Sequence, residues 1–173
     1  MHQLNGLNKK MTTIHKLVPH GLSCAFYKAT KPGFAGLYNR LARFIDRGPY
    51  SHTELVFSNQ LSGSSSYLDG GVRIKQIDYS NIDNWDFLPI PDPTGILEAA
   101  AWKWNIDHKD EKYDVWGNIR FATNFVKDSH NKWFCSEANL AALGIPEAYR
   151  YGPNGAASLL QLMFQTQLVI GKS

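Results

Sequence analysis

"SHTELVF", residues 51–57, alternates polar and apolar side chains, and the fold class turns on that alternation. A period of two belongs to an extended strand, with successive side chains on opposite faces. His52, Glu54 and Val56 then share one face, and Thr53, Leu55 and Phe57 share the other. Downstream, Ser65 to Asp69 and "GVRIKQID" (71–78) read as a hairpin joined at "DGG", with "SGSSS" (62–66) before it as a short low-complexity loop. "NWDFLPI" (84–90) reads as a further strand closed by "PDP", and upstream "GLSCAFYKA" (21–29) is a compact apolar run of the same kind.

Outside this block the spacing becomes helical. "FAGLYNRLARFID" (34–46) places Leu37, Leu41, Phe44 and Ile45 at helical intervals. "TGILEAAAWKWNIDH" (94–108) follows a candidate Thr94 cap, and "YDVWGNIRFATNFV" (113–126) and "AASLLQLMFQ" (156–165) are also expected to be helical. "KWFCSEANLAALGIP" (132–146) reads as a short helix that begins near Cys135 and is stopped by Gly144 and Pro146. Strands cluster early and helices late, which predicts an α+β fold with an antiparallel sheet packed on helices.

With 173 residues, the chain suits a single domain, taken as 21–173, preceded by a polar, loosely ordered segment 1–20. A net charge of +3 is too weak to argue for nucleic acid. "AWKW" (101–104) reads as packing rather than base stacking. The two cysteines, Cys24 and Cys135, make no disulfide framework and no zinc spacing; a single bridge between them is the one pairing open, and a reducing cytoplasm is the simpler setting. No apolar run reaches the ~18 residues of a membrane span, and the N-terminal stretch lacks the apolar region of a signal peptide. The charge run "DHKDEKYD" (107–114) has the spacing of no standard metal loop, and "GSSS" (63–66) lacks a P-loop lysine.

Cys135 is the residue with chemistry to offer. At a helix start, unpaired N–H groups and the macrodipole favour a thiolate. A cysteine nucleophile also needs a base within hydrogen-bond reach and a group to orient that base. Of six histidines, His52 lies on a rigid strand, and Glu54 sits two residues along the same face, roughly 7 Å away at the backbone and within reach of a Glu side chain. Two readings stand side by side. Cys135 is either a small buried residue or a nucleophile, and His52 and Glu54 either face water or form its base and orienter. Glu137, in the first turn of the same helix, suits the dipole but would oppose a thiolate if it faced the sulfur.

The stretches "PYSHTELVF" (49–57), "DGGVRIKQID" (69–78), "NWDFLPIP" (84–91), "KYDVWGN" (112–118) and "WFCSEANLAALGIP" (133–146) resemble the circularly permuted branch of the NlpC-type, papain-like cysteine hydrolases, the YiiX-type group and its bacterial and phage relatives. The resemblance implies a papain-like antiparallel sheet or small barrel packed against helices, with the histidine strand ahead of the cysteine helix. It maps the nucleophile onto Cys135, the base onto His52 and the third member onto Glu54 or onto the next strand near Ser64–Tyr67. Backbone N–H groups around Cys135 would form the oxyanion hole, and Tyr50, Ser51, Ser66 and Ser136 are candidates for substrate or oxyanion contacts. The implied activity is a thiol peptidase or amidase acting on a peptide, such as a peptidoglycan stem peptide, with no metal or organic cofactor. A thioesterase, ester hydrolase or acyltransferase on the same site, or a non-catalytic interaction module, are the alternatives. The expected setting is cytoplasmic, or phage-encoded with release on lysis. The expected partner is a peptide or acyl substrate, without nucleic acid or stable membrane insertion.

Overall fold

A computed structural model describes residues 19–29, 48–114, 132–165 and 169–170. The helix expected at 34–46 and most of the segments 1–20 and 113–126 lie outside the described residues. The chain is α+β. Strands β1 (Ser23–Tyr27), β2 (His52–Val56), β3 (Ser62–Ser66), β4 (Gly71–Lys75), β5 (Trp85–Pro89), β6 (Lys112–Tyr113), β7 (Lys132–Trp133) and β8 (Val169–Ile170) form one open sheet in the order β7-β6-β4-β3-β2-β1-β5-β8. Every pairing is antiparallel except β6 with β7. The α-helices among the described residues are α1 (Ile96–Asp107), α2 (Cys135–Ala142) and α3 (Pro153–Phe164).

The alternation of β2 carries straight into the layering. Leu55 and Phe57 enter a core with Cys24, Phe26 and Leu88 from the sheet, Ala101 of α1, Leu140 of α2 and Leu160 of α3. The helices therefore cover this face. On the other face Val56 packs with Ala25, Tyr27, Phe87 and Trp85, and Tyr79 closes over them. Tyr79 meets Trp85 and Phe87 edge-on at ring separations of 5.0 and 5.3 Å, the tilted geometry that aromatic quadrupoles prefer.

The structure corrects the middle of the strand block. "SGSSS", read as a loop, is the whole of β3, and Tyr67–Asp69, read as strand, is a 3-10 turn. Serine and glycine are poor strand formers by propensity, but here β3 is held between β2 and β4 and context overrides propensity. Its buried hydroxyls are satisfied: Ser62 pairs with the Tyr79 hydroxyl at 2.8 Å, Ser64 donates to the Thr53 carbonyl at 2.7 Å, and Ser65 donates to the Trp133 carbonyl at 2.7 Å. Gly63 is small for a reason, since a Cβ there would lie 2.6 Å from Asn105 Oδ1 of α1. Tyr113, expected in a helix, belongs to β6.

Two helix ends also depend on particular residues. Thr94 is not the cap of α1: Gly95 holds the N-cap position, and the Asp92 carboxylate accepts the Glu98 N–H at 2.7 Å, against 3.4 Å for the Ile96 N–H on Thr94 Oγ1. At the end of α2 the expectation holds. Gly144 adopts φ +74°, its N–H bonds the Ala141 carbonyl at 2.9 Å, and the Ile145 N–H bonds the Leu140 carbonyl at 3.0 Å. This is a Schellman closure, in which a left-handed residue lets two N–H groups satisfy the last carbonyls. No helix among the described residues is long and apolar enough to cross a membrane.

Candidate active site

Cys135 occupies the first position of α2, behind the extended N-cap residue Phe134. The N–H groups of the first turn, those of Cys135 and Ser136 among them, have no carbonyl acceptor within the helix. Glu137 is the third residue of that turn, and its carboxylate reaches back toward the Phe134 N–H at 3.4 Å. Phenylalanine has no side-chain acceptor, so only this half of a capping box exists. The acid thus serves the helix end. The Cys135 side chain is buried, as is Cys24, and both thiols are free.

His52 opens β2. The Cys135 sulfur lies near enough to its imidazole to favour the charged ring. His52 Nε2 lies 2.8 Å from Glu54 Oε1, on the face away from the helices. Burial disfavours the imidazolium, but the Cys135 sulfur and then the Glu54 carboxylate outweigh it, and the His52 pKa is raised to about 9. The side chain remains 23% exposed. That exposed part opens on a cavity of about 100 Å³ bordered by Tyr27, Ser66, Leu68 and Trp85.

Glu54 is 1% exposed, so the reading in which it faces water fails. A buried carboxylate needs compensation, and Arg73 supplies it. Arg73 Nη1 donates to Glu54 Oε2 at 2.6 Å and Nη2 to Oε1 at 2.5 Å, a bidentate fork. Burial pushes the Glu54 carboxyl up, but Arg73 and then His52 outweigh it and hold it down at about 2. Arg73 Nε turns the other way, to Asp69 Oδ2 at 2.9 Å, and Lys75 Nζ holds both oxygens of Asp69 at 2.6 and 2.8 Å. The sequence reading missed Arg73. It stands at an ordinary strand position, opposite Ser64, and only the three-strand register brings it to Glu54.

The remaining candidates separate. Ser66 lines the cavity beside His52. Ser136 donates its hydroxyl to the Tyr151 carbonyl at 2.8 Å, leaving its backbone N–H in the open first turn. The Ser51 N–H bonds the Tyr27 carbonyl at 2.9 Å. Tyr50 is structural: its hydroxyl donates to Asp86 Oδ2 at 2.7 Å and its ring packs 5.1 Å from that of Phe26. Ser64 and Ser65, the next-strand alternatives to Glu54, direct their hydroxyls to main-chain carbonyls. Among the described residues no group of three or more His, Cys, Asp or Glu side chains is placed to hold a metal ion. In "AWKW", Trp102 packs on Phe57 and Trp104 stacks on His108.

No protein-family model matches this sequence, and no curated protein matches it either.

Proposed function

We propose that the protein is a cysteine hydrolase of the peptidase or amidase type that works through an acyl-enzyme on Cys135. The observation that carries the reading is the His52 imidazole, bonded to Glu54 at 2.8 Å and favoured in its charged form by the Cys135 sulfur near it. With Nε2 engaged by Glu54, Nδ1 is the nitrogen left for the sulfur. His52 takes the thiol proton, and the sulfur attacks the carbonyl carbon while the carbonyl oxygen gathers charge near the first-turn N–H groups of α2. The bond to the amine breaks as His52 returns the proton to the departing nitrogen. A water, deprotonated by the same imidazole, then attacks the thioester, the carbon–sulfur bond breaks, and the proton returns to sulfur. Glu54 holds the ring orientation and balances its charge.

The antiparallel sheet with helices on one face, and a histidine strand preceding the cysteine helix, support the permuted papain-like family reading. Peptide amides are the substrate class we favour. The test is the rate of Cys135 alkylation by iodoacetamide against pH, in wild type and His52→Ala. Rapid labelling well below pH 8 that slows in His52→Ala is expected. Labelling that follows a plain thiol near pKa ~8.5, indifferent to His52, would refute the proposal. A panel of cell-wall peptides, p-nitrophenyl esters and thioesters then fixes the bond. Turnover of esters or thioesters without peptide cleavage would move the assignment to an esterase or acyltransferase.

A further inference from the structure

A network of four charged side chains, Glu54, Arg73, Asp69 and Lys75, lies behind the proposed catalytic pair. Ser64 pairs with Arg73, and Leu55 with Gly63, so Glu54 and Arg73 flank β3 at the level of Ser64. The Ser64 side chain is short and its hydroxyl turns to the Thr53 carbonyl, which leaves carboxylate and guanidinium to meet over it. The guanidinium is fixed from its far side as well, because Asp69 takes Nε and is itself held by Lys75. From this geometry we infer that Arg73 is a positioning residue for the proposed reaction: it keeps Glu54 ionised and aimed at His52 Nε2 while the imidazole cycles through its charged form. The inference rests on the nucleophile reading of Cys135.

The reason is proton bookkeeping. When His52 accepts the thiol proton it becomes an imidazolium beside a buried carboxyl. Burial alone favours a neutral Glu54, which would draw the proton off the ring and away from the leaving group. A forked cation on both carboxylate oxygens opposes that transfer, and the proton stays on His52. Lysine would carry the charge without the fork.

The test uses the full chain as Arg73→Gln, Arg73→Lys and Asp69→Asn. Two readouts are followed: the pH midpoint of Cys135 alkylation and the ¹⁵N titration of the His52 ring. In Arg73→Gln the alkylation midpoint should rise by about one pH unit or more, a tenfold loss of thiolate below the midpoint, and His52 should titrate at lower pH. Arg73→Lys should shift both less, and Asp69→Asn less again in the same direction. A folded Arg73→Gln whose His52 titrates at the same or a higher pH means that Glu54 stays ionised unaided, and overturns the inference. If Arg73→Gln does not fold, wild-type titrations in both other variants overturn it. If wild-type Cys135 alkylates as a plain thiol, the nucleophile reading fails, and the His52 titration still decides whether Arg73 controls Glu54.

Discussion

Asn139 Nδ2, one turn into the cysteine helix, donates to Thr53 Oγ1 on the histidine strand at 2.8 Å, and both residues are buried. The bond joins α2 to β2 from the residue next to His52. Thr53→Val keeps the shape and removes the acceptor, so it should cost about 1–3 kcal/mol by stranding a buried donor. Pairing it with Asn139→Leu should recover part of that loss. Urea unfolding of the four-member cycle gives the coupling; additive single changes would show that the bond contributes nothing.

Glu54→Gln should be worse for the fold than for simple size reasons. It leaves Arg73 buried beside a neutral amide, and breaking one side of such a pair costs about 3–5 kcal/mol. Chemical denaturation at pH 7 measures it, and the ¹⁵N spectrum of the ring reports whether His52 loses its fixed tautomer. Glu54→Gln with wild-type stability would show that Arg73 finds another partner.

The two titrating groups give opposite pH limbs. Glu54 is depressed to about 2, so its contribution to stability is complete above its unfolded value near 4.5 and is lost as pH falls toward 2. His52 is raised to about 9, so its contribution is complete below about 6.5 and is lost as pH rises through 9. Thermal unfolding should therefore show a plateau from about pH 4.5 to 6.5, between these shifted values. In His52→Ala the alkaline decline should weaken and the acid limb persist.

Gly71 faces a neighbour's main chain, and a Cβ there would lie 1.9 Å from the Glu111 carbonyl oxygen. Neither backbone can yield without breaking the Val72 N–H to Glu111 bond of 2.9 Å. Gly71→Ala should destabilise by about 3 kcal/mol and release β6 from β4. Denaturation midpoints and amide exchange at Tyr113 check both effects.

Asn154 of α3 mimics a strand partner for Tyr50, accepting its N–H and donating to its carbonyl, each at 3.0 Å. This fixes the chain two residues before His52. Asn154→Ala should cost about 1–2 kcal/mol and slow Cys135 alkylation without changing its pH midpoint, because the approach to the strand loosens while the charges stay in place.

How much of this was readable beforehand follows local physics. The pattern of "SHTELVF" carried both faces of β2 because alternation is a property of one strand. Gly144 stopped α2 where expected because a left-handed closure needs only neighbouring residues. Arg73 and β3 were not readable, because each takes its role from a neighbouring strand. A run of serines has no strand pattern of its own and becomes one only when β2, β4, Tyr79 and Trp133 satisfy its polar atoms. The Asp92 cap was hidden by Thr94, a better-placed residue whose bond is longer.

The order of the elements has a consequence for how the molecule comes into being. Strands β1 to β5 and the whole Arg73–Glu54–His52 chain of contacts come from residues 23–89, whereas Cys135 arrives with α2. As the polypeptide leaves the ribosome, imidazole, carboxylate and guanidinium emerge before the thiol has been synthesised. A truncated chain ending before α2 contains His52, Glu54, Arg73 and the Cys24 thiol but lacks Cys135. Cys135 therefore joins His52, Glu54 and Arg73 only after all three have been made, with α3 and β8 still to follow.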